Sequence, residues 1–137
     1  AFCGDDFEVV NLVYPIDGDD LGNPNVVKAI MTNASKISFF TRAHVPHSSH
    51  QAMRQLGMIG FTIAALSQYT KLQPTPLEEL ESIDMMRLLE NDYEIHAVTS
   101  SSPILGVDNP EDIAKAELMM AQDFLLETYQ DKYLSFI

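Results

Sequence analysis

The sequence predicts an α/β protein: a mixed β-sheet covered by helices. Two observations carry this. Short Val-, Ile- and Phe-rich runs bounded by Gly, Pro, Asn and Asp fill the first sixty residues, and longer runs with a three- to four-residue apolar period follow them. The 137 residues suit one ordinary domain, and 46% apolar content is enough for a packed core despite a formal charge of −12.

The elements are expected in this order. Residues 7–16, "FEVVNLVYPI", read as a buried strand ended by Pro15. Residues 17–25, "DGDDLGNPN", are loop, because Asp, Gly, Asn and Pro all favour turns. Residues 26–31 and 37–43 are two strands around the turn "TNASK", and form a hairpin. "HVPHSSHQAMR" is polar and irregular, and residues 55–61, "QLGMIGF", resume strand character, with Gly57 and Gly60 allowing close backbone approach. A short helix ends near Leu72. Residues 74–91 read as one long helix, with Pro76 at its first position, Glu78 and Glu79 at the positive end of the dipole, and Leu77, Leu80, Ile83, Met86 and Leu89 on the buried face. "YEIHAVTSS" alternates as a strand, with Tyr93, Ile95 and Ala97 on one side. A last helix starts at "GVDNPED" and runs to about Tyr129. The methionines Met85, Met86, Met119 and Met120 are expected to fill core.

Charge and cysteine count narrow the function. A pI near 4.4 disfavours nucleic acid and anionic membranes as partners, unless a local basic pocket or a metal intervenes. Cys3 is the only cysteine, so no internal disulfide and no cysteine zinc site form, in keeping with a cytoplasmic setting. No apolar run is long enough for a membrane helix. The chain starts at Ala1, not Met, and enters a strand almost at once, which suggests a processed or partial chain.

Three groups of residues are candidates for chemistry. In "GVDNPED", Asn109 suits a helix N-cap, Pro110 the first helical position, and Asp112 a capping box. Asp108 precedes the cap and is not needed for it. It follows a strand–loop at the sheet edge, where α/β proteins place ligands, and is either a plain loop carboxylate or a ligand of Mg²⁺. Arg42 and Arg54 stand at strand ends among only eight Lys and Arg residues. Each either makes an internal ion pair or meets a carboxylate or phosphate. Arg87 has acidic helix neighbours for surface pairs. His44, His47 and His50 recur every three residues, but Pro46 blocks a regular helix and no fourth ligand type is nearby, so they read as loop histidines.

Four segments in order, "NPNVVKAIM", "FFTRAHVP", "RQLGMIGF" with "PTPLEELESIDMMRLLENDYEIHAV", and "GVDNPEDIAKAE", resemble the 3-deoxy-manno-octulosonate cytidylyltransferases, the CMP-Kdo synthetases, in the C-terminal part of their domain. The resemblance implies a Rossmann-like nucleotide-diphospho-sugar transferase fold, usually a homodimer. It implies transfer of CMP from CTP to a 2-keto sugar acid such as Kdo, with release of pyrophosphate, for lipopolysaccharide or related surface sugars. It makes Asp108 one of two metal aspartates, with Mg²⁺ as cofactor, and Arg42, Gln55 and Asp84 candidates for contact with the acidic substrate; Arg54, a guanidinium at a strand end, is a further substrate-binding candidate on its own account. The family's glycine-, arginine- and lysine-containing CTP loop and its other metal aspartate have no counterpart here. Gln55 stands at a histidine of the family pattern, Ile59 at a tyrosine, and Asp84-Met85 at a Glu-Gln pair. A different acidic acceptor, a sugar acid or phosphonate, is therefore the first alternative, and a non-catalytic assembly or regulatory subunit the second.

Overall fold

The computed structural model describes residues 8–16, 18–45, 53–102, 104–107 and 110–123. It divides into two compact units, Ala1–Pro103 and Ile104–Ile137. Asp108, Asn109, His47, His50 and the tail beyond residue 123 lie outside the described residues.

The first unit holds a five-stranded mixed sheet. Its strands are β1 (Val9–Pro15), β2 (Lys28–Met31), β3 (Ile37–Thr41), β4 (Met53–Phe61) and β5 (His96–Thr99), in the order β3-β2-β4-β1-β5. The β1–β5 pairing is parallel and the others antiparallel. β2 and β3 form the expected hairpin. Residues 17–25 are not all loop: Gly18–Leu21 make one helical turn, α1, which sets Leu21 against Ile16 and Val26 in a small separate cluster.

Period-two alternation places Val9, Asn11 and Val13 on one face of β1, each at most 1% exposed. That face joins Ala29, Phe40 and Ile95 in the main core. On the opposite face Val10 meets Gly60, its ladder partner. A Cβ at Gly60 would lie 2.9 Å from Val10 Cγ2, whereas one at Gly57 would meet nothing within 4 Å. The close approach expected at both glycines exists only at Gly60. Because the Val10 side chain is β-branched and stiff, Gly60→Ala is expected to cost about 1–3 kcal/mol in a urea melt. Gly57→Ala meets no such contact.

Helices cover the core face. α2 (Ile63–Tyr69) is capped by Thr62, whose Oγ1 accepts from Ala65 N–H at 3.2 Å. The long helix expected over 74–91 is two short ones, α3 (Pro76–Glu81) and α4 (Met86–Glu90). The reason is packing. Ile83, Met85, Met86 and Leu88 are all buried, yet positions 83 and 85 of a straight helix point roughly 200° apart. Ser82 turns left-handed at φ 53° and breaks the helix, so all four reach the core, while Leu80 is left 79% exposed.

The break also relocates Arg87. Instead of surface pairs on its own helix, it makes a bidentate pair with Glu78 across the junction, with Nε donating to Oε2 at 2.7 Å. Its guanidinium lies 5.1 Å over the Tyr69 ring. The Glu90 carboxylate accepts from Leu77 N–H at 3.0 Å and closes the start of α3.

β5 begins at His96, after Ile95 has reached the core. In the second unit, α5 (Pro110–Ala121) starts at Pro110, as expected for a first helical position. Met119 and Met120 are 41% and 56% exposed, so of the four methionines only Met85 and Met86 fill core.

Candidate active site

Three of the eight basic residues meet at one end of β2, β3 and β4. Lys28 pairs in register with Thr41 on one side and Arg54 on the other, and is fully buried. Its Nζ donates to the carbonyls of Asn23 at 2.7 Å and Arg42 at 3.0 Å. Burial holds its pKa below the ordinary lysine value; the nearby Arg42 charge adds to this and Asp20 opposes it. A lysine inside the apolar run "VVKAI" was the sequence signal for this residue.

Arg42 just past β3 is held tightly. Its Nε donates to Glu81 O at 2.9 Å, Nη1 to Pro24 O at 3.0 Å and Nη2 to Ser82 O at 3.3 Å. These bonds use three of the five guanidinium N–H groups and tie the residues 23–25 turn to the end of α3. The Glu81 carboxylate completes the joint, accepting from Arg42 N–H at 2.9 Å and Thr41 Oγ1 at 3.1 Å. Arg54 pairs with Asp20 at 3.2 Å, and its buried Nε has no hydrogen-bond partner among the described residues.

A second polar group sits on the core face. β4 bulges where Asn11 opposes Ile59 and Val13 opposes Gln55. Gln55 Nε2 donates to Asn11 Oδ1 at 2.7 Å. Asp84 is exposed in the turn between α3 and α4, two residues beyond the Arg42–Ser82 contact. Arg42 and Asp84 thus flank one turn, while Gln55 is held separately by β1. Asn11, Lys28 and Glu81 are the residues that strand and helix patterns did not single out.

Ile59 packs against the same cluster in which Met85 is 2% exposed. Two positions that are polar in the cytidylyltransferase pattern are therefore apolar here, Met85 in the core and Ile59 half-buried against it. Among the described residues no three His, Cys, Asp or Glu side chains gather as a metal-binding set. They do not fit a metal on their own, and Asp108 is outside them.

The fold is similar to that of a solved CMP:2-keto-3-deoxy-manno-octonic acid synthetase complexed with CTP, at a TM-score of 0.77 and 22% identity over 85% of this chain and 50% of that one. The fold is therefore the Rossmann-like one of that structure, with a mixed sheet. No family model matches the chain. Curated relatives named 3-deoxy-manno-octulosonate cytidylyltransferase do: that of Acidobacterium capsulatum is 32% identical over 120 residues, 84% of this chain and 49% of the relative. That of Chlorobium limicola is 34% identical over 117 residues, 80% of this chain and 47% of the relative. The chain belongs to the 3-deoxy-manno-octulosonate cytidylyltransferase family, and spans about half the length of these relatives.

Proposed function

We propose that the protein carrying this chain is a cytidylyltransferase that transfers CMP from CTP to a Kdo-like 2-keto sugar acid. The observation that supports it is the match to relatives of that name across 84% of the chain. In the reaction the anomeric hydroxyl oxygen attacks the α-phosphorus of CTP, its proton leaves, and pyrophosphate departs. Arg42 is suited to the acid's carboxylate: two guanidinium N–H groups remain after its three internal bonds, and those bonds hold it in place. We assign Asp108 as a ligand of Mg²⁺, which would screen phosphate charge. The assignment rests on the resemblance of "GVDNPED" to the family's motif. The family resemblance supports a cytoplasmic homodimer, and among the described residues no helix is long and apolar enough to cross a membrane.

A different acidic acceptor is the second reading, favoured by the apolar Ile59, half-buried against the core, and the buried Met85. A hydrogen-bonding site that loses its polar groups changes discrimination strongly. Pyrophosphate release with CTP and a panel of acidic acceptors tests both. The first reading expects Kdo to be the best acceptor; a smaller acid or a phosphonate outperforming it supports the second. No release with any acceptor contradicts both.

A further inference from the structure

Asn11 is 0% exposed, between Val9 and Val13 on the core face of β1. A buried amide needs its hydrogen bonds met, and here the partners dictate which way it faces. Nδ2 donates to the carbonyls of Leu12 at 2.9 Å, Leu56 at 3.0 Å and Met58 at 3.4 Å. Carbonyl oxygens only accept, so the amide nitrogen lies on that side and Oδ1 lies on the other. Oδ1 also only accepts. Gln55, which faces it, must therefore offer Nε2, and does so at 2.7 Å. Gln55 Oε1 is left over, with no hydrogen bond from any described residue.

We infer that Asn11 is a positioning residue: through the β4 bulge it fixes the Gln55 amide so that position 55 presents an acceptor. An acceptor takes a hydroxyl and repels a carboxylate or phosphate oxygen. Gln55 thus reads the hydroxyl-bearing part of the acceptor, and the anionic group is left to another residue. The same carbonyls that the bulge frees from the β1–β4 ladder, Leu56 and Met58, set this polarity. A histidine at position 55 could have served as donor or acceptor; a glutamine tied to Asn11 has one role. The ligand part of this inference rests on the proposed sugar-acid activity, but the amide orientation does not.

The test uses the protein carrying this sequence, with ¹⁵N and ¹³C in its glutamines. In the free protein one Gln55 Nε2 proton should be protected from exchange, and Asn11→Ser should remove that protection. If it exchanges freely in the wild type, the orientation is wrong. Kdo should then shift the Gln55 side-chain carbonyl carbon, while pyruvate, a 2-keto acid without hydroxyls, should not. Equal shifts from both, or Kdo binding that leaves that carbon unmoved, would overturn the acceptor role. If Kdo shifts nothing anywhere while Nε2 stays protected, the sugar-acid reading fails and the Asn11 relay stands. In turnover, Asn11→Ser should raise KM for Kdo about tenfold, the equivalent of one hydrogen bond, with KM for CTP unchanged. Gln55→Glu cannot donate to Asn11, and where a urea melt shows it folded it should show the same split. Equal changes in both KM values would mark a purely structural role.

Discussion

Arg87→Ala is expected to destabilise the first unit by about 2–3 kcal/mol, at or just below the roughly 3–5 kcal/mol typical of breaking a fully buried ion pair. Glu78 and Arg87 are only 13% and 18% exposed, so removing the guanidinium leaves a carboxylate with little water to replace it. The Tyr69 contact goes as well, and so does the bond to Leu72 O at 3.4 Å. The bonds from Arg87, and next the Thr75 N–H, hold the Glu78 carboxyl below its usual pKa, against the opposing effect of burial. Its folded pKa therefore lies below the unfolded one. The stability it adds is present above the unfolded carboxylate pKa and is lost as pH falls toward the folded value. Urea melts at neutral and acid pH should show that loss in the wild type. In Arg87→Ala the Glu78 share of it should shrink, with only the Thr75 N–H left to favour the carboxylate. Equal stability of the two proteins at neutral pH would show that the junction of α3 and α4 is held by apolar packing alone.

Asp108→Asn is expected to lower pyrophosphate release by about a hundredfold or more, since a metal's charge stabilisation is worth several kcal/mol and each 1.4 kcal/mol is tenfold. Folding should be unaffected, because α5 starts at Pro110 by helix physics that does not need residue 108. Asp112, whose carboxylate lies 3.7 Å from Lys115 within the same helix, provides the control: Asp112→Asn should turn over at nearly the wild-type rate. Raising the Mg²⁺ concentration should partly restore Asp108→Asn if the lost interaction is a metal ligand. Wild-type turnover in Asp108→Asn would remove the metal assignment.

The strands were readable because their local signals agree with their burial. The Val-rich β1 ends at its proline, and "TNASK" supplies a turn between two apolar runs. The helix break was not readable. Leu77, Leu80, Ile83 and Met86 keep a helical period through Ser82, and nothing in that serine announces a left-handed turn. Only the joint burial of Ile83, Met85, Met86 and Leu88 makes a straight helix impossible. The polar sites show the same division. Arg42 and Arg54 stand out by type and position and Gln55 by the family resemblance, but their partners come from distant segments: Glu81 and Pro24 for Arg42, Asp20 for Arg54, Asn11 for Gln55. Asn11 itself looks like an interruption of an apolar strand until the β4 bulge supplies its acceptors.

The central claim is that the phosphate of CTP is passed to a sugar acid. Phosphorus NMR of the protein with CTP, Mg²⁺ and Kdo tests it directly. The account predicts a new phosphodiester resonance, from CMP joined to the sugar, growing in step with pyrophosphate and absent without Kdo. Free CMP with pyrophosphate, or an unchanged CTP spectrum, would contradict it.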